Sequence, residues 1–415
     1  MNVWAGQQSV DKKKGEGVGG EDIPPLLWRG AGGEVFPVKK STFIPHAKTH
    51  PMPIYMDVHS VPGVRARQVA EAHRLDLAHQ NDFGCTCMTY WIDETRESVF
   101  CLIDAPDKDA VRELHRKAHG LIPGKIIEVS SSIVQSFLGR IYDPEEVSIT
   151  NDGLRVFADP AFRVLLLAQT VDPAMLCHCI GKEKATSLFR EHNQLLRTIA
   201  AEMGGLEAEH PGEGLIFSFP SASRALTCAR TILNELPASL AASLNSRLSV
   251  SAGEAVGSST QLFGDAIRGA QNLAMLHRTF RLAVDGSVKD ILAKEDLSTV
   301  PDLLSLNGPD ELLLRQIFQT LDIHASDEHF DADAFARALA LSKSQLYRKC
   351  VEITGYSPNT LLKEYRLRNA RWLLRNGLLS IAQVAFDTGF TSASYFTKCF
   401  KKEYGLLPGE YRELL

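Results

Sequence analysis

The sequence predicts a multidomain chain: an α+β domain, then an α/β domain, then an all-α domain. Three observations predict it. Over residues 53–129 the hydrophobic period switches between two and 3.6 residues in the order β-α-β-β-α-β. Residues 163–292 alternate apolar strand runs with amphipathic helical stretches. The last 90 or so residues are helical and nearly repeat at an offset of 50. A length of 415 residues agrees with about 150 per domain.

With 44% hydrophobic and 23% charged residues, a collagen-like or wholly disordered chain is excluded. No uninterrupted apolar run reaches the roughly 18 residues of a membrane-spanning helix. The opening, MNVWAGQQSVDKKKGEGVGGE, has no apolar core before a small-residue cleavage site, which argues against secretion. Eight cysteines without an export signal read as reduced thiols of a cytoplasmic protein. Net charge is -5, unevenly spread. Residues 331–415 carry 13 Lys/Arg against 8 Asp/Glu, and residues 1–330 carry 32 against 42. A basic end on an acidic body points to a polyanion partner.

Residues 1–51 are rich in Gly, Pro and Lys and are expected to be a disordered extension. Met52 opens the first patterned stretch and is an alternative translation start. From there to residue 130, PIYMDVH alternates as a strand and VRARQVAEAHRLDLAHQ is helical. CTCMTYWID and SVFCLIDA are strands joined by a polar turn. DKDAVRELHRKAHG is a helix that Gly120 stops, and KIIEV is the last strand. This order is the ferredoxin-like split βαβ arrangement. The segment holds His59, His73, His79, His115 and His119, five of 13 histidines. His115 and His119, at i and i+4, share a helical face, a spacing that suits a transition metal but is also common on solvated faces. His73 and Asp76 stand at i and i+3, Asp57 and His59 end the first strand, and Cys87 and Cys101 lie on the middle strands. Those thiols are more simply explained as packing.

Residues 130–162 carry the turn signals DPEE, NDG and ADP and form a connector. RVLLLAQTV then reads as a buried strand. Helices are expected at 182–203 and 221–236 around the strand GLIFSF, followed by the strand LSVSAGEAV and a helix near 264–279. Residues 293–322 read as a helical connector.

In the C-terminal unit, from 323 to 415, Ser342, Ser344, Gly355 and Pro358 match Ser392, Ser394, Gly405 and Pro408. Ser342 with Gln345, and Ser380 with Gln383, form capping-box patterns at helix starts. Gly389 suits a tight turn between helices. In each copy the helix after the turn has an inward apolar side, carrying Leu346 in the first and Phe396 and Phe400 in the second. That leaves Lys343, Ser344, Gln345 and Arg348 facing out in the first copy, and Ser394, Tyr395, Thr397 and Lys398 in the second. Short polar and basic side chains near a helix N-terminus are what the major groove accepts. A long helix with Arg366, Arg368 and Arg371 joins the copies, and two such units can enter major-groove segments about 34 Å apart.

This last stretch resembles the DNA-binding domain of AraC/XylS transcription regulators, through LSKSQLYRKCVEITGYSP, LLKEYRLRNARWLL and IAQVAFDTGFTSASYFTKCFKKEYGLLPGEYR. The resemblance assigns base reading to Ser344, Arg348, Ser394, Tyr395 and Lys398, and phosphate contacts to Lys343 and Thr397. Residues 52–130 resemble small ferredoxin-like proteins with nickel-binding members, through MPIYMDVH, EAHRLDLAHQ and YWIDETRESVFCLIDAPDKDAVRELHRKAHG. That implies nickel or another divalent transition metal as cofactor, with His59, His73, His115 and His119 as ligands. It also implies homodimerisation through the open sheet face. Residues 163–292 resemble a class III nucleotide cyclase domain, through GLIFSFPSASRALTCARTIL, LSVSAGEAV and LFGDAIRGAQNLA. Two carboxylates must hold the two metals of such an enzyme. The first falls at Gln169 and the second at Glu213, while the late-helix Asn and Arg positions fall at Arg268 and Asn272. A degenerate cyclase-like domain without catalysis follows.

The expected function is therefore a cytoplasmic, homodimeric transcription regulator that binds double-stranded DNA, is metal responsive and is not an enzyme. The alternatives are a nucleotide cyclase fused to a DNA-binding domain, and a regulator whose first domain only dimerises.

Overall fold

The computed structural model describes residues 52–210, 214–276, 280–292, 303–306 and 308–415. The extension 1–51, Glu213 and the stretch 293–302 lie outside the described residues.

The first domain runs β1 (Ile54–Ser60), α1 (Ala66–His79), β2 (Thr86–Asp93), β3 (Ser98–Asp104), α2 (Lys108–Ala118) and β4 (Lys125–Val129). Its sheet has the order β2-β3-β1-β4 and is antiparallel throughout. Asp107 starts α2 by accepting the amides of Asp109 and Ala110. Strand alternation turns Tyr55 and Cys101 toward the helices, in a core with Val69, Val111 and Leu114. Met56, Phe100 and Leu102 point to the opposite face.

The connector is more ordered than its turn signals suggest. It contains α3 (Ser131–Leu138) and a hairpin of β5 (Ser148–Ile149) and β6 (Arg155–Val156), whose turn is the NDG segment. Arg140 fastens it to the first domain by donating to the Tyr90 carbonyl at 2.6 Å and lying 4.5 Å over the Trp91 ring.

The middle domain comprises β7 (Phe162–Gln169), α4 (Pro173–Ile180), α5 (Lys182–Glu202), β8 (Leu206–Ala208), β9 (Leu215–Phe219), α6 (Ala222–Glu235), α7 (Ala238–Leu244) and β10 (Arg247–Glu254). It closes with α8 (Gly264–Ala274), β11 (Leu282–Val284), α9 (Gly286–Lys289) and β12 (Leu303–Ser305). The sheet order is β12-β11-β10-β7-β9-β8, with β11 and β12 parallel to β10. Strands β8-β9-β7-β10 repeat the split βαβ order of the first domain. Strands β8, β11 and β12, of three residues each, are too short to show a period in sequence.

Val164, Leu166 and Ala168 of β7 pack under α5 and α6. Leu165 and Leu167, on the other face, share a core with Ile216 and with Met56, Trp91, Phe100, Leu102 and Ile127 of the first domain. Contrary to the expectation of homodimerisation through an open sheet face, that face is closed within one chain. The middle domain of the same chain covers that face, because strand alternation makes it apolar and burial within one chain carries no cost of association.

The C-terminal domain is all-α: α10 (Gly308–His324), α11 (Ala332–Ala338), α12 (Lys343–Thr354), α13 (Pro358–Arg375), α14 (Ile381–Asp387), α15 (Ala393–Tyr404) and α16 (Pro408–Glu413). The residues that repeat in sequence are helix boundaries. Ser342 and Ser392 are N-caps, Gly355 and Gly405 are left-handed C-caps, and Pro358 and Pro408 occupy first turns. No helix among the described residues is long and apolar enough to cross a membrane.

Candidate nucleic-acid interface and candidate metal centre

Each helix-turn-helix unit is built by its caps. Ser342 Oγ accepts the Gln345 amide and Gln345 Oε1 accepts the Ser342 amide, completing the predicted box at the start of α12. Ser380 and Gln383 do the same for α14, and Ser392 caps α15 through the Tyr395 amide. The turn between α14 and α15 uses Gly389 at φ +83°. The turn between α11 and α12 places Ala340 at φ +54°, a conformation that favours glycine.

Leu346, Phe396 and Phe400 are buried, whereas Ser344, Arg348, Ser394, Tyr395 and Lys398 are exposed. Three predicted contacts are partly engaged within the domain. Lys343 pairs with Asp333 at 2.6 Å, Gln345 closes its capping box, and the half-buried Thr397 donates to the Ala393 carbonyl. Tyr347, 58% exposed, was not foreseen as a contact, although Ser344, Tyr347, Arg348 and Val351 form one stripe at helical spacing. Lys401 extends the corresponding stripe of α15 beyond Ser394 and Lys398. Of the linker arginines on α13, Arg366 donates to the carbonyls of Ala325, Asp327 and Phe330. Arg371 reaches Asp172 of the middle domain, so these charges hold the protein together.

In the first domain the sheet register sets the second constellation. Asp57 on β1 stands directly opposite Cys101 on β3, and His59 opposite Val99. Helix α2 lowers His115 onto them, and α1 brings Asp76 from the other side. His115 Nε2 lies 2.9 Å from Asp57 Oδ2, and its Nδ1 3.2 Å from Asp76 Oδ1 and 3.0 Å from His119 Nε2. Two groups of donors result: Asp57, His59, Cys101 and His115, all buried, and Asp76, His115 and His119. His73 joins neither. Its Nε2 is 3.5 Å from Asp143 of the connector, and its ring packs 5.2 Å from Tyr90. The i, i+3 spacing put His73 and Asp76 near one another in sequence, but only Asp76 faces α2.

The electrostatics follow from burial of opposite charges. Burial pushes the Asp57 carboxyl up, but the His115 and His59 rings outweigh it and hold it well below the ordinary range. Burial opposes and the hydrogen bonds of His115 and His119 dominate for Asp76, lowered to about 2. For His115, burial is overcome by Asp57 and then Asp76, and its value rises to about 10. Burial first, then the Asp57 and Asp76 charges, push the Cys101 thiol well up. Two buried carboxylates thus converge on the one ring of His115. His59 Nε2 and Asp57 Oδ1 lie 3.2 Å apart without hydrogen-bond alignment, and both are buried without a hydrogen-bond partner. Unsatisfied nitrogen and oxygen donors on one spot, beside a thiol, fit a divalent transition metal.

In the middle domain, Gln169 ends β7, and Arg268 is ion-paired with Asp265 one turn earlier on α8.

Residues 335–414 match the family model described as a helix-turn-helix domain, and residues 55–129 match that of nickel responsive protein SCO4226-like. The chain thus carries an AraC-type helix-turn-helix domain and an SCO4226-like domain. A histidine kinase P4 of Formosa agariphila is 33% identical over 112 residues, 27% of this chain and 8% of that protein. The transcriptional activator RhaS of Escherichia fergusonii is 31% identical over 148 residues, 30% of this chain and 51% of the relative. The crystal structure of SCO4226 from Streptomyces coelicolor A3(2) is 32% identical, covering 19% of this chain and 98% of that one, with a TM-score of 0.18. The chain spans 8% and 51% of the length of these two curated relatives.

Proposed function

We propose that the chain is a sequence-specific DNA-binding transcription regulator of the cytoplasm. The observation that carries this reading is the duplicated turn, with a polar and basic stripe exposed on both α12 and α15 and an inward apolar side on each. Ser344, Arg348, Ser394, Tyr395 and Lys398 read base edges, and Lys343, Gln345, Thr397 and Lys401 lie beside them toward the phosphates. Two units in one chain already supply two major-groove contacts, so the reading needs no second chain. All eight cysteines are free thiols, as a reducing compartment keeps them.

The regulator responds to a divalent transition metal, nickel above others, in its first domain. Asp57, His59, Cys101 and His115 hold it, with Asp76 and His119 on the second nitrogen of His115. The buried unsatisfied atoms of Asp57 and His59 support this reading. A metal biases DNA binding only if two arrangements of the chain hold it with different affinity. The middle domain is a cyclase-like fold used as a scaffold, since Gln169 carries no charge for a metal.

The test is capture of sheared genomic DNA by the full chain, with and without nickel, followed by sequencing. Enrichment of one shared sequence pattern, altered in strength by nickel, is expected. Uniform recovery of all fragments ends the DNA reading, and identical enrichment with and without metal ends the nickel response.

A further inference from the structure

The C-terminal domain meets the middle domain at two separate places. The core of the first helix-turn-helix unit, with Phe335, Leu346 and Tyr365, is continuous with Leu276, Phe280 and Ala283 around the end of α8 and β11. The core of the second unit, with Val384, Phe396 and Phe400, takes in Ala174, at the start of α4. Beside Ala174 lies Asp172, whose side chain is fully buried.

The two oxygens of Asp172 have different partners. Oδ1 caps α4, accepting the amides of Ala174 at 2.9 Å and Met175 at 3.4 Å. Oδ2 accepts from three groups of the second unit: Arg375 at 2.6 Å, Tyr411 at 2.7 Å and Arg371 at 3.2 Å. Arg371 and Arg375 sit one turn apart near the end of α13, and Tyr411 belongs to α16. The Arg371 guanidinium also lies 5.0 Å over Tyr404, at the end of α15. One buried carboxylate therefore ties the middle domain to the helix that joins the units and to the helix that closes the second one.

The geometry points to the middle domain as the gauge of the DNA-binding domain: docked on it at both units, the two recognition helices have their separation and rotation set by Asp172 with Arg371, Arg375 and Tyr411. Along the chain helix α13 joins the units, with the three-residue step 355–357 on one side and the segment 376–380 on the other. The exposed stripes of α12 and α15 carry none of these docking contacts, so docking leaves them open to DNA. A carboxylate buried under two guanidiniums and a phenol makes directional, desolvated bonds, which hold an angle better than apolar packing. Asp172 and its partners act here as positioning residues. The consequence is a strict spacing between the two base-pair blocks that the chain recognises.

This inference rests on the DNA-binding reading, and its test separates the two. The full chain is used to select duplexes from a random-sequence library, and the bound pool is sequenced. Affinity is then compared between the selected duplex and one with two base pairs inserted between its blocks, a rotation of roughly 70°. Two variants break the tie from opposite sides. Asp172→Asn keeps an oxygen for the α4 amides but loses the charge, and Arg375→Ala leaves α4 untouched. Arg375→Lys keeps the charge.

The wild-type chain is expected to select two blocks at one spacing and to discriminate strongly against the insertion. Both variants should lower that discrimination by about tenfold or more, the size of a typical coupling between sites, with affinity for a single block unchanged. Arg375→Lys should restore part of it. Equal discrimination in wild type and variants, with each chain shown folded by its thermal transition, overturns the inference. A wild-type chain that selects only one block also overturns it, while leaving DNA binding intact. If the wild-type chain selects nothing, the DNA-binding reading falls and this inference with it.

Discussion

Gly389 stands at the turn that aims α15, and its replacement by alanine has a cost that can be worked from the structure. At φ +83°, an L side chain costs roughly 1–2 kcal/mol. Reduced entropy of the unfolded chain returns about 0.4–1 kcal/mol. The added Cβ would overlap the carbonyl oxygen of Ala325 and stand 2.8 Å from Arg366 Nε. Those two atoms are bonded to each other at 2.8 Å, so the methyl group must separate them. A hydrogen bond from a charged donor contributes about 1.5–3 kcal/mol. The sum is about 1.5–4.6 kcal/mol against the second unit. Gly405, at φ +76° with nothing within 4 Å of a built Cβ, provides the matched control, expected to cost at most about 1.6 kcal/mol. Because the chain has several domains, the assay is hydrogen exchange of the α15 amides, which reports opening of that unit. Gly389→Ala should speed exchange at least tenfold more than Gly405→Ala. Equal effects would mean that the Ala325 carbonyl yields freely, and the reasoning would fail.

Arg348→Ala and Lys398→Ala should each weaken specific DNA binding at fixed salt, by about 1–3 kcal/mol where the side chain reads a guanine. Lys343→Ala should do less, since Lys343 is partnered by Asp333; unchanged affinity in both of the first two variants refutes the interface. His59→Ala and the double substitution His115→Ala with His119→Ala should abolish tight nickel binding in calorimetry of the full chain, and His73→Ala should retain it; the reverse order refutes the site. In the metal-free chain, the raised His115 value stabilises the first domain fully below about pH 6.5 and is lost as pH rises through about 10. The lowered Asp76 value acts oppositely, stabilising above about pH 4 and lost as pH falls through about 2. Nickel must displace the His115 proton and, with Cys101 bound as thiolate, the thiol proton too, so its affinity should climb by up to about a hundredfold per pH unit beyond 6.5, where an ordinary histidine would level off. A flat affinity from pH 6.5 to 8.5 refutes that proton competition. Incubation with ATP or GTP should give no cyclic nucleotide; a product lost on Glu213→Ala would restore the enzyme reading.

What the sequence by itself determined is what local chemistry determines. Serine caps, glycines at helix ends and prolines at first turns recur at an offset of 50, and each marks a helix boundary in the folded domain. The two-residue alternation of PIYMDVH likewise placed Asp57 and His59 on one face of β1. Contacts between distant segments were decided by tertiary structure alone. The register of β1 on β3 sets Asp57 opposite Cys101, and helix packing turns Asp76, rather than His73, toward His115. The apolar face of the first sheet reads the same whether a second chain or the next domain covers it. Asp172 is legible as the N-cap of α4, but nothing local foretells the two guanidiniums and the phenol that converge on it from about 200 residues away. Caps and alternation are short-range and leave a spacing in the sequence. Burial of charge against charge across domains leaves none, because it depends on where the chain returns.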